Sequence, residues 1–588
     1  MTKVIVLGGG VAGLSAAQEL VERGFEVHVY EKRPTRFGGK ARSMPDLATG
    51  LPGEHGFRFF PGFYRHLPDS MSRIPFGTNS TVVDNLVATT QIEMTQTNGA
   101  PIMTPTKVKM DIEDLLQSLE DFINSGLTIQ ETIAFAMKMY QIVTSCPERR
   151  LAEYEKIAWW HFIGADAPDA SPAYKKILGE GMTRSLVAMQ AQIASTRTVG
   201  DILVQLLFDS VTVGIETDRV LNGPTNDVWL TPWVEYLTAK GVQLHLDAEI
   251  DFLQMNGRNL DCAVLCDATQ VRGDYFIAAM PVEVLTQLLT SEIKAASPTL
   301  AEIANLRTSW MNGIQFYLKT DVPLDHGHCI YLDSEWALTS ISQHQFWPNT
   351  DLSKFDNGQV NGILSVDISD WKTPATWTTA DNQSVTKAAE DCTAEEVKDG
   401  AWAQIKAHVN RLGKTVLADE NLVAWHLDPD IRFPRSLPIN DRDAEPLLVN
   451  VIDSWQYRPE ARIEIPNLFL ASDYVRTYTD LATELIPSRI VTSRPAMHIR
   501  QSSKPWLFLE NWFNPILHLD MQNMILYLLV IDWLSRFLFF WNSNVNPTKN
   551  THVQRKNHCN RQGNHPCRGR QRGNQYAAIL WTNVRGEP

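Results

Sequence analysis

Apolar positions along this 588-residue chain fall into three rhythms. The first is the short continuous run. Val4 to Leu7 are β-branched or leucine throughout, the pattern of a strand buried on both faces. The second is the three-and-four spacing of an amphipathic helix. It begins at Leu14, carries on to Arg23 and stops at Gly24, a good residue to follow a helix end. The third is alternation. Glu26-Val-His-Val-Tyr30 alternates, and the opening thirty residues therefore predict strand, glycine turn, helix and strand. Helical spacing returns in Asp111–Asn124 and Thr128–Cys146, and in the block from Ala158-Trp-Trp-His-Phe162 to Leu206. Between 300 and 440 the chain alternates again, as in Gly313-Ile-Gln-Phe-Tyr-Leu-Lys319, which predicts strands of a second sheet. Asp428-Pro-Asp430 reads as a turn. Gly241 to Ile250 has a strand pattern, and no internal repeat is visible.

Composition narrows the class. Hydrophobic residues make up 44% and charged residues 20%, ordinary values for a globular enzyme. A chain of this length has material for two or more domains with substantial cores. The formal net charge of −14 counts against nucleic acid as a partner. The seven cysteines are scattered, which matches neither a disulfide framework nor a four-cysteine zinc site, and no metal is expected. Gly8–Gly10 arrive too early for a signal-peptide core, so a reducing, cytoplasmic setting is expected.

The candidate chemistry begins in the first turn. Gly8, Gly10 and Gly13 have the G-x-G-x-x-G spacing between strand and helix, and Val11 and Ala12, inside that turn, are candidate cofactor contacts with them. A glycine first allows the tight turn, the second lets backbone approach a pyrophosphate, and the third lets helix pack on strand. The helix N-terminus then offers unpaired N–H groups to the phosphates. Glu31 lies eighteen residues beyond Gly13, near the roughly 20 expected for an acid that grips a ribose hydroxyl. The bland alternative is a glycine turn without a ligand.

Lys32-Arg33-Pro34 and then Phe37-Gly38-Gly39-Lys40-Ala41-Arg42 follow. Here the chain resembles the FAD-dependent amine oxidase and phytoene desaturase superfamily, over roughly residues 1–483, and on its carotenoid-desaturase and hydroxysqualene-dehydroxylase side. The resemblance implies that Gly38, Gly39 and Arg42 add pyrophosphate contacts, for which a guanidinium is chemically suited. It implies that Gly53-Glu-His-Gly-Phe-Arg-Phe-Phe-Pro-Gly62 passes near the flavin ring, with Gly56, Phe57 and Arg58 beside it. Ile250 would lie against the adenine. Asp274–Pro281 would close the FAD domain. Pro466–Asp473 would be its last strand, with Asp473 near the ribityl or phosphate region. Ser472 stands where the family usually has glycine.

The fold implied is α/β: a Rossmann-type FAD-binding domain (1–90, 235–290 and 445–485) interleaved with an α+β substrate domain (91–234 and 291–444). The cofactor is FAD. His55 and Arg58 are the candidate catalytic groups. The activity implied is a desaturase or dehydrogenase that moves hydride from a lipophilic, isoprenoid-type substrate to flavin N5, with a quinone or O2 as final acceptor. An amine oxidase and a non-redox flavin isomerase remain open. Trp159, Trp160, Trp229, Trp233, Trp425 and Trp455 would serve either as core or as the wall of an apolar tunnel.

Residues 486–588 form an atypical tail. Pro487 interrupts the helix that the family would place there, at about 3 kcal/mol inside a helix. An apolar stretch from Trp506 to Trp541 is broken by Asp532 and Arg536 and is short of the ~20 residues that span a bilayer. It suits peripheral membrane contact. Residues 546–588 carry eight Lys/Arg and one acid and have a disordered composition. His558, Cys559, His565 and Cys567 do not have the spacing of a zinc site.

Overall fold

The computed structural model describes residues 1–477, apart from 47–48, 99–100, 108–125, 188, 356–357, 411–412 and 432–444. The predicted helix Asp111–Asn124 and every expectation placed on the tail lie outside the described residues.

Five parallel strands form the first sheet, in the spatial order Gln243–His245, Glu26–Tyr30, Lys3–Leu7, Tyr275–Ala278 and Leu468–Leu470. Its strands come from stretches hundreds of residues apart. The side-chain period of two explains how one strand serves two cores. Val4 and Val6 join Leu14, Ala17, Trp229 and Trp233 on one face. Ile5 and Leu7 join Phe276, Leu468 and Leu470 on the other. Burial on both faces is what the uninterrupted run Val4–Leu7 encodes.

The first helix spans Val11–Val21, three residues earlier than the periodicity predicts, with Gly10 as its N-cap. Ten of its eleven residues are buried, so the polar face that would have marked its start is absent. Gly24 follows with φ +80°. Trp233 crosses to this helix and donates its Nε1–H to Gln18 Oε1 at 2.8 Å, which satisfies two buried polar groups together.

A seven-stranded mixed sheet forms the second layer. Its order is Leu422–Leu427, Asn312–Leu318, Gly362–Ile368, Leu338–Ser342, His328–Tyr331, Gln91–Thr95 and Ile102–Pro105. All pairings are antiparallel except that of His328–Tyr331 with Gln91–Thr95. The alternation at 313–319 marks the strand Asn312–Leu318, whose seven residues are all buried. The helix predicted at Thr128–Cys146 runs Ile129–Val143, and Thr128 and Glu131 close its start as a reciprocal capping box. The described cysteines form no disulfide. Among the described residues, no helix is long and apolar enough to cross a membrane.

Candidate functional site: a dinucleotide cradle with a buried polar end

The three glycines of the first turn serve different purposes. Gly8 has φ +113°, and a Cβ there would come within 2.7 Å of the Ala279 carbonyl oxygen. A Cβ on Gly13 would sit 2.0 Å from the Gly8 oxygen. The protein's own packing therefore requires both. Gly10 differs, because its nearest neighbour would be Gly39 Cα at 3.7 Å, an ordinary contact. Nothing in the chain forbids a side chain at Gly10. What a side chain would invade is the cavity that Gly10 lines.

The second glycine pair lies along the first. Gly38 N–H donates to Gly9 O at 2.8 Å, and Gly10 and Gly38 form a parallel bridge. The buried Glu31 braces the same turn: its carboxylate accepts the Gly9 N–H at 2.8 Å and the Arg33 N–H at 3.0 Å. No side chain caps the start of helix Val11–Val21, so its first N–H groups are left for a ligand.

A cavity of about 370 Å³ opens above this turn. Of the residues predicted to bind the cofactor, Gly8, Gly10, Val11, Ala12, Glu31, Lys32, Gly38, Gly39, Arg58, Ile250 and Asp473 line it, as does the candidate His55. Ser472 lines it too. Phe59, Phe60, Tyr64, Leu67 and Trp229 add an aromatic and aliphatic wall. Trp229 is the one tryptophan of the six named from sequence in that lining; Trp159 and Trp233 are core, and Trp455 stacks on the Arg197 guanidinium at 4.1 Å.

Gly13, Arg42, Gly56 and Phe57 are not in the lining. Gly13 packs helix on strand, as above. Arg42 is buried and directed elsewhere, donating to Gly39 O at 2.6 Å and Glu445 Oε2 at 2.9 Å and pairing with Asp430. Arg33 pairs with the same two carboxylates. Burial alone would raise the Glu445 carboxyl, but the two guanidinium groups outweigh it and hold the acid below its ordinary range. Gly56 faces the second sheet: a Cβ there would sit 2.5 Å from Asp367 Oδ1. Phe57 stacks edge-on against His328.

The segment Gly53–Gly62 carries the polar end of the site. Arg58 donates to Lys40 O at 3.1 Å, and burial pushes its guanidinium below the usual range. His55 Nδ1 lies 2.5 Å from Asp428 Oδ2. Asn312 Nδ2–H donates to the same oxygen at 2.7 Å, and the Asp430 N–H donates to Asp428 Oδ1 at 3.0 Å. Burial would raise the Asp428 carboxyl, yet its bonds from His55 and Asn312 leave it lowered. Asp367 behaves the other way. Burial pushes it up to about 7, and the nearby Arg58 and His55 offset only part of this. Glu283 opens a helix at the cavity edge and pairs with Lys40 at 3.1 Å; burial raises its carboxyl despite that partner.

His55, Asp430 and Glu445 bring donor atoms within 4.8 Å of one another, spacing that could hold a metal ion. Both carboxylates are already paired with Arg33 and Arg42, so guanidinium charge stands where a cation would be wanted. Asp428, Asn312, Asp367 and Glu283 are the site residues that sequence reading missed. Asp428 was visible only as half of a turn signal.

Fold and cradle together define a dinucleotide-binding protein: an uncapped helix start, a glycine with open space before it and an acid just past the end of the second strand. The model of the flavin containing amine oxidoreductase family matches residues 11–483. The chain belongs to that family, and so to the FAD-dependent oxidoreductases. Among curated proteins it is 39% identical over 79 residues to the carotenoid phi-ring synthase of Chlorobaculum tepidum, covering 13% of this chain and 12% of that one. It is 39% identical over 83 residues to the zeta-carotene desaturase of Zea mays, covering 14% of each. The matched stretches thus span about one-eighth of these relatives. Solved structures with the same fold include an oxidoreductase from Methanosarcina mazei (TM-score 0.52, 14% identity, 83% of this chain and 99% of that one). Putrescine oxidase bound to putrescine is another (TM-score 0.54, 13% identity, 83% and 96%).

Proposed function

We propose that this protein is an FAD-dependent desaturase or dehydrogenase acting on a lipophilic, isoprenoid-like substrate. The observation that carries the reading is the wall of Phe59, Phe60, Tyr64, Leu67 and Trp229, continuous with the glycine cradle. Such a wall binds hydrocarbon by burial and excludes water. The partial matches to carotenoid-modifying proteins support the same substrate class.

FAD, when bound, supplies a two-electron acceptor for hydride at N5. The chain's own residues do the rest. Gly10 would leave room for the pyrophosphate, the start of helix Val11–Val21 would present N–H groups to it, and Glu31, at the end of the second strand, would accept from the ribose. Arg58, fixed by the Lys40 and Ala41 carbonyls, holds positive charge at the cavity. A quinone is the proposed final acceptor, with peripheral contact to a lipid surface as the route to it.

The test is anaerobic. Purified yellow protein is mixed with long polyenes or with amines while flavin absorbance is followed, and product mass and peroxide are then measured under air. Bleaching by polyenes with loss of two hydrogens and little peroxide is expected. Bleaching and peroxide with amines alone would replace this reading with amine oxidation, and an unchanged mass with a moved double bond would replace it with isomerisation.

A further inference from the structure

We infer that His55 is the proton acceptor of the site and that Asp428, held by Asn312, is its positioning residue. The inference rests on the desaturase reading above and adds to it the half of the reaction that hydride transfer leaves out. Removal of two hydrogens from adjacent carbons sends one away as hydride, to an oxidised flavin, and the other as a proton. The electron pair of the second C–H bond becomes the new π bond, and the proton needs a base.

The geometry offers the His55 imidazole for that need. The His55 side chain is 9% exposed and lines the cavity. Its Nδ1 is drawn to Asp428 Oδ2 at 2.5 Å. Asp428 is itself 1% exposed at its side chain and cannot swing away, because Asn312 Nδ2–H and the Asp430 N–H each hold one of its oxygens. An anionic carboxylate facing Nδ1 selects the tautomer with the proton there. Nε2 is then the lone-pair nitrogen. Neither ring nitrogen has a well-aligned hydrogen-bond partner among the described residues, Nδ1 included despite its 2.5 Å approach to Asp428, and a buried unpaired polar atom is costly unless a ligand meets it.

The backbone fixes the ring as firmly as the side chains do. Gly313 N–H donates to His55 O at 2.8 Å, and a Cβ on Gly313 would come within 2.6 Å of Gly56 Cα. The strand that supplies Asn312 thus also clamps the segment that carries His55. The charged groups around the imidazole are Asp428, Asp430 and Glu445, with Asp367, Glu54, Arg58 and Arg42 beyond them. Asp430 and Glu445 are neutralised by arginines, which leaves Asp428 as the carboxylate addressed to the ring.

The experiment uses the full chain with ¹⁵N-labelled histidine, assigned by difference from His55→Gln. Long-range proton–nitrogen correlation at pH 7 is expected to show a neutral His55 with the proton on Nδ1, and mixed tautomers in Asp428→Asn. A doubly protonated ring, or a proton fixed on Nε2, overturns the inference whether or not any substrate reacts. For the reaction, the rate of flavin bleaching by a polyene is expected to fall 10²- to 10⁴-fold in His55→Gln, the range for loss of a general base, with flavin content unchanged. Polyene oxidation that persists within threefold in His55→Gln overturns the inference and leaves the desaturase reading standing. If wild type oxidises no polyene, the desaturase reading falls and the tautomer measurement alone decides the role of His55.

Discussion

Replacing Gly10 separates a glycine kept for a ligand from one kept for packing. Gly10 has φ −74°, a conformation open to any residue, and an added Cβ would meet only Gly39 Cα at 3.7 Å and Gly39 N at 3.9 Å. Gly10→Val should therefore fold. Its cost without cofactor is that of losing a favourable N-cap residue, about 0.5–1 kcal/mol. The valine side chain enters the cavity where backbone should approach the pyrophosphate. Gly13→Ala is the control. Its Cβ would lie 2.0 Å from the Gly8 oxygen, so helix and strand must part, at roughly 1–3 kcal/mol or more. The assay is thermal unfolding of apoprotein with and without added FAD, read beside the flavin absorbance of the purified protein. A ligand at a hundredfold its Kd stabilises the native state by about 2.7 kcal/mol. Wild type should show that upward shift and Gly10→Val should show none, with nearly the same melting temperature as wild type before FAD is added. A yellow Gly10→Val protein with the full shift would refute the assignment of this turn to the cofactor.

Three other outcomes are expected. Asp367, pushed up to about 7 by burial, is neutral in the folded protein at acid pH, so its contribution is complete below its unfolded value near 4 and is lost as pH rises through about 7. Between pH 5 and pH 8 wild type should lose roughly 2–3 kcal/mol more than Asp367→Asn, measured by denaturant melts of both at each pH; parallel curves would remove Asp367 from the account. Glu445, lowered by Arg42 and Arg33, acts with the opposite sign: its stabilisation is present above the ordinary carboxylate range and disappears as pH falls through its lowered value. Glu445→Ala should cost about 3–5 kcal/mol at pH 7 by leaving buried guanidinium charge unpaired, and an unchanged melting temperature would contradict that. Glu31→Ala should weaken FAD retention and also lower apoprotein stability by about 1–3 kcal/mol, because the Gly9 and Arg33 N–H groups lose their acceptor; differential scanning calorimetry with a flavin titration reads both.

The parts of this site that were legible in the sequence are local ones. Strand, glycine turn and helix succeed each other within twenty residues, and each carries its own signal. The start of the first helix was misplaced because Val11, Ala12 and Gly13 are buried between sheet and neighbours, and burial on all sides erases the polar positions that periodicity needs. Gly56 was legible as a close approach but not as an approach to what. Its neighbour is Asp367, more than 300 positions away in the chain. Arg42 shows the same limit. Its fit to phosphate was sound chemistry, yet the fold brings Asp430 and Glu445 to it first. Asn312 and Asp428 are 116 positions apart, and no spacing rule joins them.

The sheet topology explains why such distant residues converge. In an open parallel sheet the ligand lies beyond the carboxyl ends of the strands. Four of the five strands here release the chain into the cavity lining within two or three residues of their ends: Gly8 after Leu7, Glu31 after Tyr30, Ala279 and Met280 after Ala278, and Ser472 and Asp473 after Leu470. Their relative heights are set by the registers of that sheet, where a slip of one residue would turn Val4 and Val6 into the wrong core. The polar end is positioned by the other sheet, through Asn312, Gly313 and Asp367 on adjacent antiparallel strands. The cradle and the His55–Asp428 pair are therefore held by separate frameworks, and Gly53–Gly62 is the segment that touches both. Substitutions in the mixed sheet beneath Gly56 should then alter the reaction while flavin binding survives, and substitutions at the first turn should do the reverse.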